Sequence, residues 1–315
     1  LRHGNIENKE KNQHILYSEK IAMPQDIILG SGSVGLTLAA DLNASVLLRT
    51  TGPNLSSNIS REHPSLNIYF QKKQLVIPTL SWGDIKPYDR IWVCLHGKDI
   101  PEYIPNLKKH LGSILFCHNG LLEKDWITDN TYRVLIYFGV QKEKTPHGIS
   151  IHHHGGNLIQ WGRISSKGSS ESLSFSSSQF NWEFNDNIQK KEIIKFFVNL
   201  VLLIYIKNSN QPNGSILKIE PQRFYEKFHF FRKIFHSSSG FHLTENDSEI
   251  FVDALISTAQ NTSDNINSLS LAWSQGHLDT PRFFIQQLLK VSHKGSFSQQ
   301  EIFKFFLGEE FKLLF

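Results

Sequence analysis

The sequence predicts an α/β half followed by an all-helical half. Three observations carry that division. Between Asp26 and Phe138, short and fully apolar runs alternate with segments of helical spacing, as in a parallel sheet covered on both faces. From Ile188 onward, apolar residues recur only at helical spacing. A length of 315 residues with 39% apolar content is enough to bury two cores of ordinary size.

Residues 1–22 are polar and mixed in charge. Met23, the only methionine, reads as a natural start, which makes 1–22 an extension outside the fold. Residues 27–29 form the first strand and break into Gly30-Ser31-Gly32-Ser33-Val34-Gly35. A helix over 36–42 and a second strand over 45–49 follow. Residues 91–95 and 113–117 are fully apolar strands ending in polar turns, with further strands at 133–138 and 149–154. The serine-rich stretch 165–178 reads as a surface loop. Helical spacing then covers 190–206, 221–235, 245–274 and 281–289. The expected domains are 23–188 and 189–315.

Composition excludes several classes. Thirty-three basic against 29 acidic residues give a net charge of +4, too mild for a nucleic-acid surface. The longest apolar run, 196–206, is 11 residues and contains Asn199, short of the roughly 20 a membrane span needs. Cys94 and Cys117 cannot make a disulfide framework and read as core thiols, and the chain reads as a reduced, cytoplasmic protein. No GxSxG, HExxH or Walker A pattern is present. His152-His153-His154 alternate across a strand without a nearby Cys, Asp or Glu in sequence, so no metal site is expected. The aromatic residues over 224–235 recur at helical spacing and read as core or as the surface of a homodimer.

The glycine run carries the functional signal. It follows an apolar strand directly and opens a helix, the context a dinucleotide-binding turn requires. Gly30 allows the tight turn, Gly32 lets backbone approach a pyrophosphate, and Gly35 lets helix and strand pack closely. Ser31, Ser33 and Val34 complete the turn, and the helix start offers free N–H groups to the anion. The fold class is therefore an α/β Rossmann-type dinucleotide-binding domain followed by an all-α carboxy-terminal domain. At the end of the second strand stands Arg49, where an NAD site would place Asp or Glu. A guanidinium fork suits a 2′-phosphate, so NADP(H) is the expected cofactor.

Together with GSGSVG and Arg49, the turn His118-Asn119-Gly120, the stretch Lys195 to Gly214 and the segment Asn265-Ile266-Asn267-Ser268 resemble the ketopantoate reductase (2-dehydropantoate 2-reductase) family. The resemblance implies NADPH-dependent reduction of a 2-keto acid, with the site between the two domains. It implies that Lys195 is the general acid and that Asn199, Asn213 and Ser268 bind substrate. Asn119 then touches both cofactor and substrate. Lys195 and Asn199, at i and i+4, share a helix face.

The chain departs from the family at three places. Leu203 stands where the family has another substrate-binding asparagine, and is expected to give the cleft an apolar wall. Thr280 stands in place of an acidic residue, with Asp279 one position early. Asp279-Thr280-Pro281 also reads as a helix start with Thr280 as cap. His96 stands where the family has a lysine, with Lys98 two positions on. Two alternatives follow: a reductase of a more apolar keto acid, and a dinucleotide-binding sensor or interaction protein that has lost catalysis.

Overall fold

The computed structural model describes residues 24–47, 65–71, 73–164, 173–175, 177, 179–206, 211–238, 242–292 and 297–307. The extension 1–22, Met23 and Arg49 lie outside the described residues.

The first half is built on strands β1 (Asp26–Leu29), β2 (Ser45–Leu47), β3 (Ser65–Phe70), β4 (Lys73–Leu80), β5 (Arg90–Val93) and β6 (Ile114–Phe116). It continues with β7 (Thr131–Tyr137), β8 (Val140–Thr145), β9 (Gly148–His153), β10 (Leu158–Arg163) and β11 (Asn181–Phe184). Helix α1 (Ser33–Leu42) joins β1 to β2, and a short α2 (Ile104–Leu107) lies between β5 and β6. The strands form one mixed sheet in the order β11-β10-β7-β6-β5-β1-β2-β4-β3-β9-β8. Strands β7, β6, β5, β1, β2 and β4 run parallel to one another, whereas β10 pairs with β7 and β3 with β4 antiparallel. Strands β1, β5 and β6 are almost wholly buried, as their unbroken apolar runs demand.

Five strands escape the apolar-run reading. Strand β8 is the polar sequence VQKEKT on the sheet edge, where little packing is needed and charge deters further pairing. The serine-rich stretch is a correction of another kind. Phe175 packs edge-on against Trp92 and Trp161 and lies against Trp182, with centroids 4.7–5.1 Å apart, so an aromatic anchor ties this segment to the sheet.

The second half consists of α3 (Ile188–Ile206), α4 (Pro221–Ser238), α5 (Asn246–Asn261), α6 (Ser268–Ser274), α7 (Asp279–Ser292) and α8 (Gln299–Leu307). The long helix expected over 245–274 is broken at 262–267. There the Asn267 side chain accepts the Leu269 N–H at 2.9 Å and starts a new helix. The core of this half is aromatic: Phe197 stacks on Phe231 at 3.7 Å and Phe196 on Phe284 at 4.4 Å. Phe224, Phe228, Phe231 and Phe235 are all buried, which makes that cluster core. Among the described residues no helix is long and apolar enough to cross a membrane.

Candidate active site at the junction of sheet and helices

The glycine turn has the geometry its sequence requires. Gly30 adopts φ +120°, closed to most side chains, and a Cβ there would lie 2.7 Å from the Cys94 carbonyl oxygen. A Cβ on Gly35 would strike the Gly30 carbonyl, so helix α1 can seat on β1 only with glycine there. Gly32 faces open space, with nothing within 4 Å of a Cβ position. It precedes α1, whose first turn carries no acidic side chain to repel an anion. From the edge of the sheet, Lys142 on β8 reaches over and donates to the Ser31 carbonyl at 3.0 Å. Sequence reading passed over this lysine, because nothing in a polar strand announces that it lands on a loop 111 residues earlier.

A cleft of about 380 Å³ opens from this turn. Its walls include Gly30 to Val34, the strand ends at Cys94, His96 and Asn119, and Ser268, Thr280 and Phe283 from the helices. The open Cβ direction at Gly32, the free helix start and Lys142 fit the pyrophosphate of a dinucleotide. Cys94 and Cys117 line the same cleft as free thiols, and the contact with Cys117, followed by burial, pushes the Cys94 thiol well up.

A second cavity of about 240 Å³ adjoins the first, sharing Ser33, Val34, His96, Asn119 and Ser268 with it. Lys195, Asn199 and Asn213 line it. Here the Lys195 ammonium donates to Asn119 Oδ1 at 3.3 Å and lies over the Tyr137 ring, 5.2 Å from its centroid. Burial, and then the Arg133 guanidinium, lower the Lys195 amine to about 7, while Cys117 and Glu192 oppose that shift. Asn213 is buried on a 3-10 turn, its amide donating to Thr262 Oγ1 at 2.9 Å. Its Oδ1 is buried with no partner among the described residues. Ser268, the first residue of α6, stands at the boundary of the two cavities.

Three expectations need correction. Leu203 does not line either cavity; it is fully buried in the aromatic core, and Leu202 takes the wall position. The reason is helical phase. Leu202 lies seven residues beyond Lys195 and returns close to its face, whereas Leu203 has rotated away by a further 100° or so. Thr280 does not cap a helix but lies inside the first turn of α7, because the Arg282 N–H already bonds to Leu278 O at 2.8 Å. Asp279 points outward to Lys98, its Oδ2 accepting from Nζ at 2.9 Å across the rim of the cleft. A carboxylate also stands beside the histidine run, Glu143 Oε2 being 3.3 Å from His152 Nε2 across the β8–β9 pair.

Two site residues carried no sequence signal. Arg133 on β7 and Glu192 on α3 form a buried ion pair whose charges both act on Lys195. Arg133 donates to the carbonyls of Phe116, His118 and Gly120 at 2.6–2.8 Å, and Glu192 accepts the Leu122 N–H at 2.9 Å. Together they clamp the turn bearing Asn119. From the opposite side, Gln287 on α7 both accepts from and donates to the Leu121 backbone, at 3.0 and 2.7 Å. Burial pushes the Glu192 carboxyl up, and the guanidinium on it opposes that shift. His118, enclosed by the same turn, is driven strongly toward the neutral form by burial and then by Arg133.

The family model for Ketopantoate reductase PanE/ApbA matches residues 27–166. No curated protein matches the sequence. Solved structures do. A probable 2-dehydropantoate 2-reductase from Bacillus subtilis aligns with a TM-score of 0.67 at 18% identity, over 92% of this chain and 100% of its own. A dimeric ketopantoate reductase from Staphylococcus aureus gives 0.61 at 18%, over 90% and 97%. D-mandelate dehydrogenase in complex with NADH gives 0.67 at 15%, over 92% and 100%. At such identities the likeness is one of fold, and it spans both the sheet and the helices.

Proposed function

We propose that this chain, whose residues 27–166 match the family model for Ketopantoate reductase PanE/ApbA, reduces a 2-keto acid to the 2-hydroxy acid with NADPH. A reduced nicotinamide dinucleotide, when bound, supplies the hydride that the keto carbon gains. The glycine turn and Lys142 hold its pyrophosphate, and Arg49, outside the described residues, pairs with the 2′-phosphate. Lys195 gives a proton to the keto oxygen, leaving a hydroxyl and a neutral amine that solvent reprotonates. Ser268 holds the substrate carboxylate, Asn199 the polar atoms near the reacting carbon, and the free Oδ1 of Asn213 a hydroxyl further along. Asn119 orients the lysine amine. Ketopantoate, which carries such a hydroxyl, is the first substrate to try, and a homodimer in the cytoplasm is the expected state.

One observation carries this reading: an amine lowered to about 7 stands where a cavity whose lining includes Asn119, Asn199, Asn213 and Ser268 meets the cleft at the glycine turn. The test is NADPH oxidation against a panel of 2-keto acids, ketopantoate included, with NADH as the competing donor. Turnover with NADPH preferred, and the preference reversed by Arg49→Asp, is the expected result. Tight NADPH binding with no turnover of any acid would favour the sensor reading instead. Asp279 supports that alternative, since its carboxylate is spent on Lys98 rather than directed into the cavity.

A further inference from the structure

A third hollow, about 440 Å³ and open to solvent, adjoins the lysine cavity and lies between β10, α3 and α5. The two share Tyr137, Ile194, Ala254, Thr258 and Thr262, which form the wall common to both. The same two helices floor both. On α3, Lys195 and Asn199 face the inner cavity, while Lys191, one turn earlier, faces the outer one. A rise of 1.5 Å per residue sets Lys191 about 6 Å from Lys195 along the helix axis.

The outer hollow has a definite chemistry. Among the described residues, Lys191 is the one charged side chain in its lining, and no carboxylate lines it. The remaining polar groups are neutral, among them Asn157, Gln160 and Asn261. Gln160 and Asn181 donate to the Glu183 carboxylate at 3.2 and 3.0 Å. A lone ammonium among amides, one helical turn from the proton-donating lysine, suits a carboxylate at the end of a short chain.

We propose that the outer hollow is a tail subsite, and that the substrates taken best are 2-keto acids whose chain crosses the shared wall at Tyr137 and Thr258 and ends in a second anionic group at Lys191. This rests on the keto-acid reading of the inner cavity and adds the substrate class. The probes are 2-oxoadipate and 2-oxohexanoate, which have the same number of carbons and differ in the terminal carboxylate. Turnover with NADPH is measured for both. Calorimetric binding of both, with oxidised dinucleotide present, gives the same comparison without requiring reaction.

The expected result is a kcat/KM ratio favouring 2-oxoadipate by about tenfold, as befits a hydrogen bond to a charged group, with affinities in the same order. Lys191→Gln brings the ratio close to one, and Lys191→Arg restores most of it. Turnover of both acids at equal efficiency overturns the tail subsite and leaves the reductase reading standing. A ratio unchanged in Lys191→Gln overturns it as well. Selective binding of 2-oxoadipate that depends on Lys191, without turnover of either acid, upholds the subsite and overturns the reductase reading. Absence of both binding and turnover overturns both.

Discussion

The two cavities that meet at Asn119 are built from different materials. The dinucleotide cleft is made of backbone: one turn of six residues sets the strand end, the bend and the helix start, and its glycines act by what they lack. The lysine cavity is made of side chains brought from β7, the Asn119 turn, α3, α5 and α6. The ion pair that supports the Asn119 turn, Arg133 and Glu192, joins residues 59 positions apart. A backbone site is local and tolerates drift elsewhere. A side-chain site depends on the packing of the whole junction, and it is the part that specialises.

The sharpest way to separate the two is Lys195→Ala. Turnover is expected to fall by about 10²–10⁴-fold, the loss of a general acid, with the dissociation constant of NADPH unchanged. Equal loss of cofactor binding would show that the two cavities are one site. If the protonated amine gives the proton as proposed, the parent's kcat/KM is expected to be flat below pH 7 and to fall about tenfold per pH unit above it.

Arg133→Met tests how far the side-chain site depends on its support. It strands the buried Glu192 carboxylate and frees three carbonyls, a loss expected to cost about 3–5 kcal/mol in denaturant unfolding. A variant as stable as the parent would mean that the Asn119 turn holds its own shape.

The glycine turn can be divided by two single substitutions. Gly35→Ala drives a methyl into the Gly30 carbonyl and is expected to cost about 1–3 kcal/mol of stability as well as cofactor affinity. Gly32→Ala meets nothing in the protein, so the melting temperature should hold while NADPH binding weakens. Equal melting losses in the two variants would contradict the distinction. The smallest effect is expected from Glu192→Gln. It removes a negative charge that holds the Lys195 amine up, so the pH midpoint of reduction moves below 7. A midpoint moving upward would reverse the assigned sign.

The same contrast decides what could be read from the sequence. The glycine turn was legible because its constraint is covalent and consecutive: strand, Gly30, Gly32, Gly35 and helix occur in one run. Buried strands β1, β5 and β6 were legible as apolar runs, and edge strand β8 was not, because a half-exposed charged strand has no apolar period. Lys195, Asn199, Asn213 and Ser268 came from resemblance, and nothing in their spacing alone would have joined them across the break at 262–267. Arg133 and Glu192 look like any charged residues in a strand and a helix. Their burial is set by the junction, which exists only after both halves have formed. Leu203 shows the limit at its finest, where one residue of helical phase separates cavity wall from core.

Helix α7 lies across both halves. At its start Asp279 reaches Lys98, and Phe283 packs into the core under the sheet, against Gly97. Further along, Gln287 holds the Leu121 backbone, and Lys290 pairs with Glu123 at 2.8 Å. The helix is thus shared property, and neither half can lose it alone. Heating should therefore give one endothermic peak in scanning calorimetry rather than two, with calorimetric and van't Hoff enthalpies that agree for the whole chain. What looks like a two-part architecture would melt as a single cooperative unit, its seam stitched by one helix.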